Sequence, residues 1–123
     1  MIMLVSKRCL FINRHAPYGS SHPQETLDMA YALAAFEHRV SLLFMDDGVY
    51  QILHNQAPAM IGMKEISHAF RAWEDYGIEH LYVEKASLEI RGIGVEELLV
   101  NVCLVSSTEL HEIMEQQDFI FSD

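Results

Sequence analysis

Basic residues and long apolar runs are both scarce in this chain, and each shortage narrows what it can do. Lysine and arginine number 8 against 18 aspartates and glutamates, a formal charge of −10. A field of that sign repels phosphate backbones, whereas direct nucleic-acid binding needs the opposite sign on at least one face. Lys7–Arg8 and Arg14–His15 are small basic clusters, so direct contact with RNA or DNA is not expected. The longest unbroken apolar run, Met29–Phe36, is far short of the roughly 20 residues that span a bilayer. The first residues, MIMLVSKRCLF, lack the basic-then-apolar order and small-residue cleavage site of a secretory signal, so a cytoplasmic protein with no membrane partner is expected. Cysteine is limited to Cys9 and Cys103, with no CxxC pair, which favours reduced thiols over a disulfide. Internal repeats, low-complexity tracts and Pro/Gly/Ser linkers are missing, and residues 1–123 read as a single domain.

What is present is an alternation of strand-length apolar runs with helical stretches. Strands are expected at 3–13, 40–45, 78–83, 98–105 and 119–122, and helices at 23–37, 48–54, 63–76, 84–91 and 107–117. The run VSLLFM is nearly continuous in apolar character, as suits a parallel strand covered on both faces. The pattern predicts an α/β domain: a flavodoxin-like three-layer sandwich around a mostly parallel sheet of about five strands.

The stretch NRHAPYGSSHPQETL joins the first strand to the first helix. Ser21 with Gln24 forms a capping-box pattern, Pro23 falls in the first turn, and Glu25 favours the positive end of the helix dipole. Such a loop lies at the carboxyl edge of the sheet, where open α/β sheets bind ligands. Gly19–Ser20–Ser21 could cradle an anion, but a lone glycine is neither GxGxxG nor GxxxxGK[ST], and a structural turn is the stronger reading. The helix that follows is apolar all round from Met29 to Phe36. A monomer's surface helix shows a charged outer face, so one side is expected to meet a partner subunit, with Tyr31 and Ala34 as candidate contacts.

Residues that could carry chemistry are few. Cys103 sits within NVCLV and reads as a small inert hydrophobe in a buried strand; Cys9 follows two cations that would favour a thiolate, but it also lies inside an expected strand. Seven scattered histidines show no HxxxH or Cys/His pairing, so no zinc site is expected. Asp46–Asp47–Gly48 could be a magnesium pair, but a helix cap is the better reading. No GxSxG elbow is present. No catalytic, metal or cofactor residue stands out.

Read together, the segments NRHAPYGSSHPQETLDMAYALAAF, LLFMDDGVYQIL and YVEKASLEIRGI resemble the DsrE/DsrF-like family, and most closely its TusC/DsrF branch. The resemblance covers Asn13 to Ile93. It implies a flavodoxin-like fold and a subunit of a TusBCD/DsrEFH-type sulfur-relay complex. Its partners would be sister subunits of TusB/DsrH and TusD/DsrE type, two copies of each in a heterohexamer, with a TusE/DsrC-type acceptor downstream. The Tus members pass persulfide sulfur toward thiolation of the wobble uridine in certain tRNAs, and the Dsr members serve sulfur oxidation. In the family, the sulfur-accepting cysteine belongs to the TusD/DsrE-type subunit, near the end of the third strand. Here that position holds Val83 or Glu84, neither of which can carry sulfane sulfur. The resemblance therefore implies a non-catalytic structural subunit. A sulfurtransferase using Cys9 or Cys103 is the alternative. Arg14, His15, Tyr18, Asp46, Asp47 and Tyr50, at the expected carboxyl edge, join Tyr31 and Ala34 as candidate subunit contacts.

Overall fold

The computed structural model describes residues 5–16, 22–53, 73, 75–98 and 101–122. Among them, five parallel strands form one sheet: β1 (Arg8–Asn13), β2 (Arg39–Phe44), β3 (His80–Glu84), β4 (Cys103–Val105) and β5 (Phe119–Ser122). The order across the sheet is β4-β3-β2-β1-β5, so β1 lies between β2 and β5, and β4 and β5 form the edges. Helices α1 (His22–Ala35), α2 (Lys85–Ile90) and α3 (Ser107–Glu115) and a 3-10 helix at Asp46–Ile52 connect the strands. The expected α/β layer architecture is thus observed, with an all-parallel sheet. The expected helix at 63–76 lies outside the described residues apart from its last few positions. The expected strands at 3–13 and 98–105 are shorter, at Arg8–Asn13 and Cys103–Val105. Leu98 instead bridges Leu53 in antiparallel fashion. No helix among the described residues is long and apolar enough to cross a membrane.

Alternation along the strands builds two cores. Cys9, Phe11, Val40, Leu42, Phe44, Leu81 and Val83 point to one face and pack with Leu27 and Ala30 of α1, Val49 and Ile52 of the 3-10 helix, and Leu88 of α2. Leu10, Ile12, Leu43 and Val105 point to the other and pack under Leu110 of α3. The residues between β1 and β2 and between β3 and β4 send their helices to the first face. The β4-to-β5 connection runs back across the sheet and places α3 on the second, as right-handed crossovers require.

Local chemistry sets the helix ends. Helix α3 begins with a capping box: Ser106 Oγ accepts from the Glu109 amide at 3.2 Å, and Glu109 accepts from the Ser106 amide at 3.1 Å. Helix α1 ends in a Schellman motif, with the His38 amide on the Leu33 carbonyl and the Glu37 amide on that of Ala34. Its left-handed residue is Glu37 (φ 67°) rather than a glycine. Helix α2 ends the same way, with Gly92 (φ 66°) in that place and the Ile93 amide on the Leu88 carbonyl.

Cys9 lies inside a strand, as expected, whereas Cys103 departs from its expected burial. Cys9 is buried among the first-face core, and burial, followed by the charge of Asp118, pushes its thiol up in pKa despite the neighbouring cations. Cys103 is exposed, because β4 is a short edge strand. A thiol reagent under native conditions should therefore modify one site rapidly, and Cys103→Ser should abolish that phase. Fast labelling that survives this substitution would show that Cys9 is the open thiol.

Candidate functional site

The carboxyl edge of the sheet joins the three sequence segments that lie 30 or more residues apart. The chain leaves β1 at Asn13, whose buried side-chain amide donates to the carbonyls of Phe11 (3.4 Å) and Leu43 (3.3 Å). Its own carbonyl accepts from the Met45 amide at 3.1 Å, which ties the end of β1 to the end of β2. The 3-10 helix that follows presses Gly48 against this junction. A Cβ built on Gly48 would stand 1.8 Å from the Asn13 carbonyl oxygen, so only glycine permits the approach. Gln51, fully buried, donates through Nε2 to the His15 carbonyl at 2.8 Å, while its Oε1 has no partner among the described residues.

Ion pairs and one hydroxyl relay complete the edge. Arg14 meets Asp46 at 3.0 Å, and Arg91 at the end of α2 meets Asp47 at 2.9 Å. The Asp46 amide donates to Ser87 Oγ at 2.9 Å, and the Ser87 hydroxyl donates in turn to the Glu84 carboxylate. Asp46 holds a left-handed φ of 51°. The expected cap role of Asp46 or Asp47 is not observed: Met45 is the N-cap residue and makes no side-chain cap bond. Both carboxylates turn to arginines that come from other loops.

The candidate contacts fall into separate groups. Arg14, His15, Asp46, Asp47 and Tyr50 gather at this edge, with Arg14, His15 and Asp47 exposed. Tyr18 lies outside the described residues, as do Gly19–Ser21 and their phosphate-cradle reading. Tyr31 stacks on Tyr76 with ring centroids 4.5 Å apart, and burial and that neighbour raise its hydroxyl pKa. Ala34 packs on the first-face core beside Gly77. The exposed large apolar side chains of α1 and its end, among the described residues, are Met29 and Phe36. Sequence reasoning missed Ser87, Gln51 and Arg91. The glycine after Arg91 was the available signal, since it marks where α2 must end and so where an arginine sits beside the carboxyl edge.

Both thiols lie toward the other end of the sheet. Cys103 opens β4 opposite Tyr82, and Cys9 stands second in β1. Near them, on the α3 face, a polar hollow of about 210 Å³ is lined by Arg8, Arg39, Ser41, Glu79, His80 and Tyr82, among others. There Arg39 grips Glu79 through two bonds of 3.0 Å, and Asp118 accepts from the Arg8 backbone amide at 2.8 Å. Among the described residues, no group of three or more His, Cys, Asp or Glu is placed to hold a metal ion.

Comparison with known proteins gives a consistent result. The model of the DsrE/DsrF-like family matches residues 7–122. The intracellular sulfur oxidation protein DsrF of Allochromatium vinosum is 35% identical, over 96% of this chain and 97% of its own. A TusC homolog of Pseudomonas aeruginosa is 31% identical, over 96% of this chain and 99% of its own. Among solved structures, the ychN protein from E. coli superposes with a TM-score of 0.80 at 23% identity, covering 95% of this chain and 99% of its own. A protein of unknown function from Methanobacterium thermoautotrophicum gives 0.73 at 16%, covering 96% and 100%. These two share the fold.

Three substitutions have expected outcomes. Gly48→Ala should cost on the order of 1–3 kcal/mol by urea denaturation, because backbone must move to admit the methyl. Asp47→Asn, at an exposed ion pair, should cost less than about 1 kcal/mol. Equal losses would mean that the glycine contact is slack. The hydrogen bond from Arg39, with the charges of Arg39, His80 and Arg8, holds the Glu79 carboxyl below the usual carboxylate range against an opposing effect of burial. A depressed folded pKa adds stability above the unfolded value, and that stability is lost as pH falls through the folded one. Glu79→Gln should therefore flatten the acid limb of a melting-temperature profile and leave its shape near neutrality unchanged. An unaltered acid limb would remove Glu79 from the acid response.

Proposed function

Since the chain belongs to the DsrE/DsrF-like family, we propose that it is a non-catalytic structural subunit of a TusBCD/DsrEFH-type sulfur-relay complex. The observation that carries this reading is the end of β3. A relay step needs a thiolate that attacks the outer sulfur of a donor persulfide; the S–S bond breaks, the donor thiolate departs, and the sulfane sulfur stays on the attacker. At this position Val83 is fully buried, and the Glu84 carboxylate is engaged by the Ser87 hydroxyl. Neither side chain can hold sulfane sulfur. The buried Cys9, with its raised pKa, is poorly suited to nucleophilic attack.

The partners are sister subunits of TusB/DsrH and TusD/DsrE type, two copies of each beside two of this chain, and the complex hands sulfur to a TusE/DsrC-type acceptor in the cytoplasm. The destination is wobble-uridine thiolation of tRNA, in line with the TusC names of several relatives. A DsrF-type role in sulfur oxidation is the second reading, favoured by the identity to the Allochromatium vinosum protein. In either pathway Arg14, His15, Tyr18, Asp46, Asp47 and Tyr50 would face a sister subunit at the carboxyl edge.

Co-expression with the two sister chains tests the assembly. An affinity tag on this subunit should recover both sisters in equal amounts, and Asp47→Arg with Arg14→Glu should weaken recovery without lowering the melting temperature by more than a few degrees. Elution of this chain alone from cells that make all three soluble would overturn the assignment.

A further inference from the structure

Arg8 and Arg39 stand in register at the start of β1 and β2, so two arginines lie abreast on neighbouring strands. Like charges held that close repel each other. Alternation puts both on the α3 face of the sheet, with Ser41 of β2 and His80 and Tyr82 of β3. With Gln116 and Gln117, past the end of α3, these residues and Glu79 line the polar hollow. Within that lining one carboxylate, Glu79, answers two guanidiniums. It is held by both bonds from Arg39 and lies 3.4 Å from His80 Nε2. Asp118 is outside the lining, and its carboxylate accepts from the Arg8 backbone amide, not from the guanidinium. The Arg8 guanidinium has no hydrogen bond or ion pair among the described residues.

The hollow is also rich in donors that nothing in it accepts. Ser41 is only 6% exposed, and its hydroxyl has no hydrogen-bond partner among the described residues. A hydroxyl so far withdrawn from water and left unpaired carries a desolvation cost that a guest can relieve. Burial, followed by Cys103 and Glu79, raises the Tyr82 hydroxyl pKa against the opposing charge of Arg8, so this group stays protonated as a further donor. An unused guanidinium and two hydroxyls, brought from three strands to one hollow, suit a guest that is negatively charged and has acceptors alone.

We propose that this hollow binds a small tetrahedral oxyanion of the sulfate, phosphate or thiosulfate class, with Arg8 as its charge partner and Ser41 and Tyr82 donating to its oxygens. Donors arriving from three strands match several oxygens around one centre better than the two oxygens of a planar carboxylate. A volume of about 210 Å³ admits such an ion with bridging water. The site needs neither a thiol nor a sister subunit, so its failure would leave the relay assignment standing.

The test is calorimetric titration of the purified chain with sulfate, phosphate, thiosulfate and acetate, at an ionic strength held constant with sodium chloride. At least one of the three tetrahedral ions should saturate a single site, and their ranking identifies the preferred source. Acetate should bind at least about tenfold more weakly. Arg8→Gln should raise the dissociation constant by more than about tenfold, and Ser41→Ala and Tyr82→Phe by about tenfold each. Lys85→Gln removes an equal charge from α2, away from the hollow, and should leave it unchanged. Tyr82→Phe keeps the ring, so its loss of binding should come with an unaltered circular dichroism spectrum. Responses that never saturate, or that fall equally in Arg8→Gln and Lys85→Gln, would mean an adventitious ion only and overturn the proposal. Acetate binding as tightly as the tetrahedral ions would overturn it too.

Discussion

The carboxyl edge rests on the close approach of Gly48 to the Asn13 carbonyl. That contact lets the 3-10 helix lie flat against the end of β1, and the other ties depend on it. With Gly48 seated, Met45 reaches the Asn13 carbonyl, Gln51 reaches the His15 carbonyl, and Asp46 and Asp47 face arginines from two other loops. The apolar side of the same turn, Val49 and Ile52, closes the first-face core. A side chain at position 48 would separate these elements together, so the fold and the surface it offers at this edge have one origin.

The parts of the molecule that follow from local pattern were legible in the sequence. The FIFS strand matches its expected bounds because it is a short apolar run set off by polar residues. Strand β2 and helix α3 lie within a residue or two of expectation, α3 marked by Ser106 and Glu109. What depended on neighbours distant in sequence was not legible. Cys103 was expected to be buried because its neighbours are apolar, but burial is decided by position in the sheet, and β4 is an edge. The aspartates after β2 were expected to cap a helix, a local role. Their partners are Arg14 and Arg91, and no local pattern announces a pairing across 44 residues. Helix α1 stops without the glycine that usually marks a left-handed end, since Glu37 takes that conformation.

The positions of the thiols bear on function. Ligands of open α/β sheets gather at the carboxyl ends of the strands, and there the chain presents carboxylates, arginines, a serine and a buried glutamine. Cys9 and Cys103 stand nearer the amino ends, one sealed in the core and one on an open edge beside Tyr82. An edge rich in paired charges and closed by a tight turn holds a defined shape. It offers no group able to accept sulfane sulfur, and this fits a subunit that shapes a relay while another carries the atom.

The most direct measurement is intact-mass spectrometry of the three co-purified subunits after exposure to a persulfide donor. The account predicts that this chain keeps its unmodified mass while the TusD/DsrE-type sister gains a single sulfur atom. A sulfur adduct on this chain that forms as fast as the sister's and disappears with Cys103→Ser would contradict it.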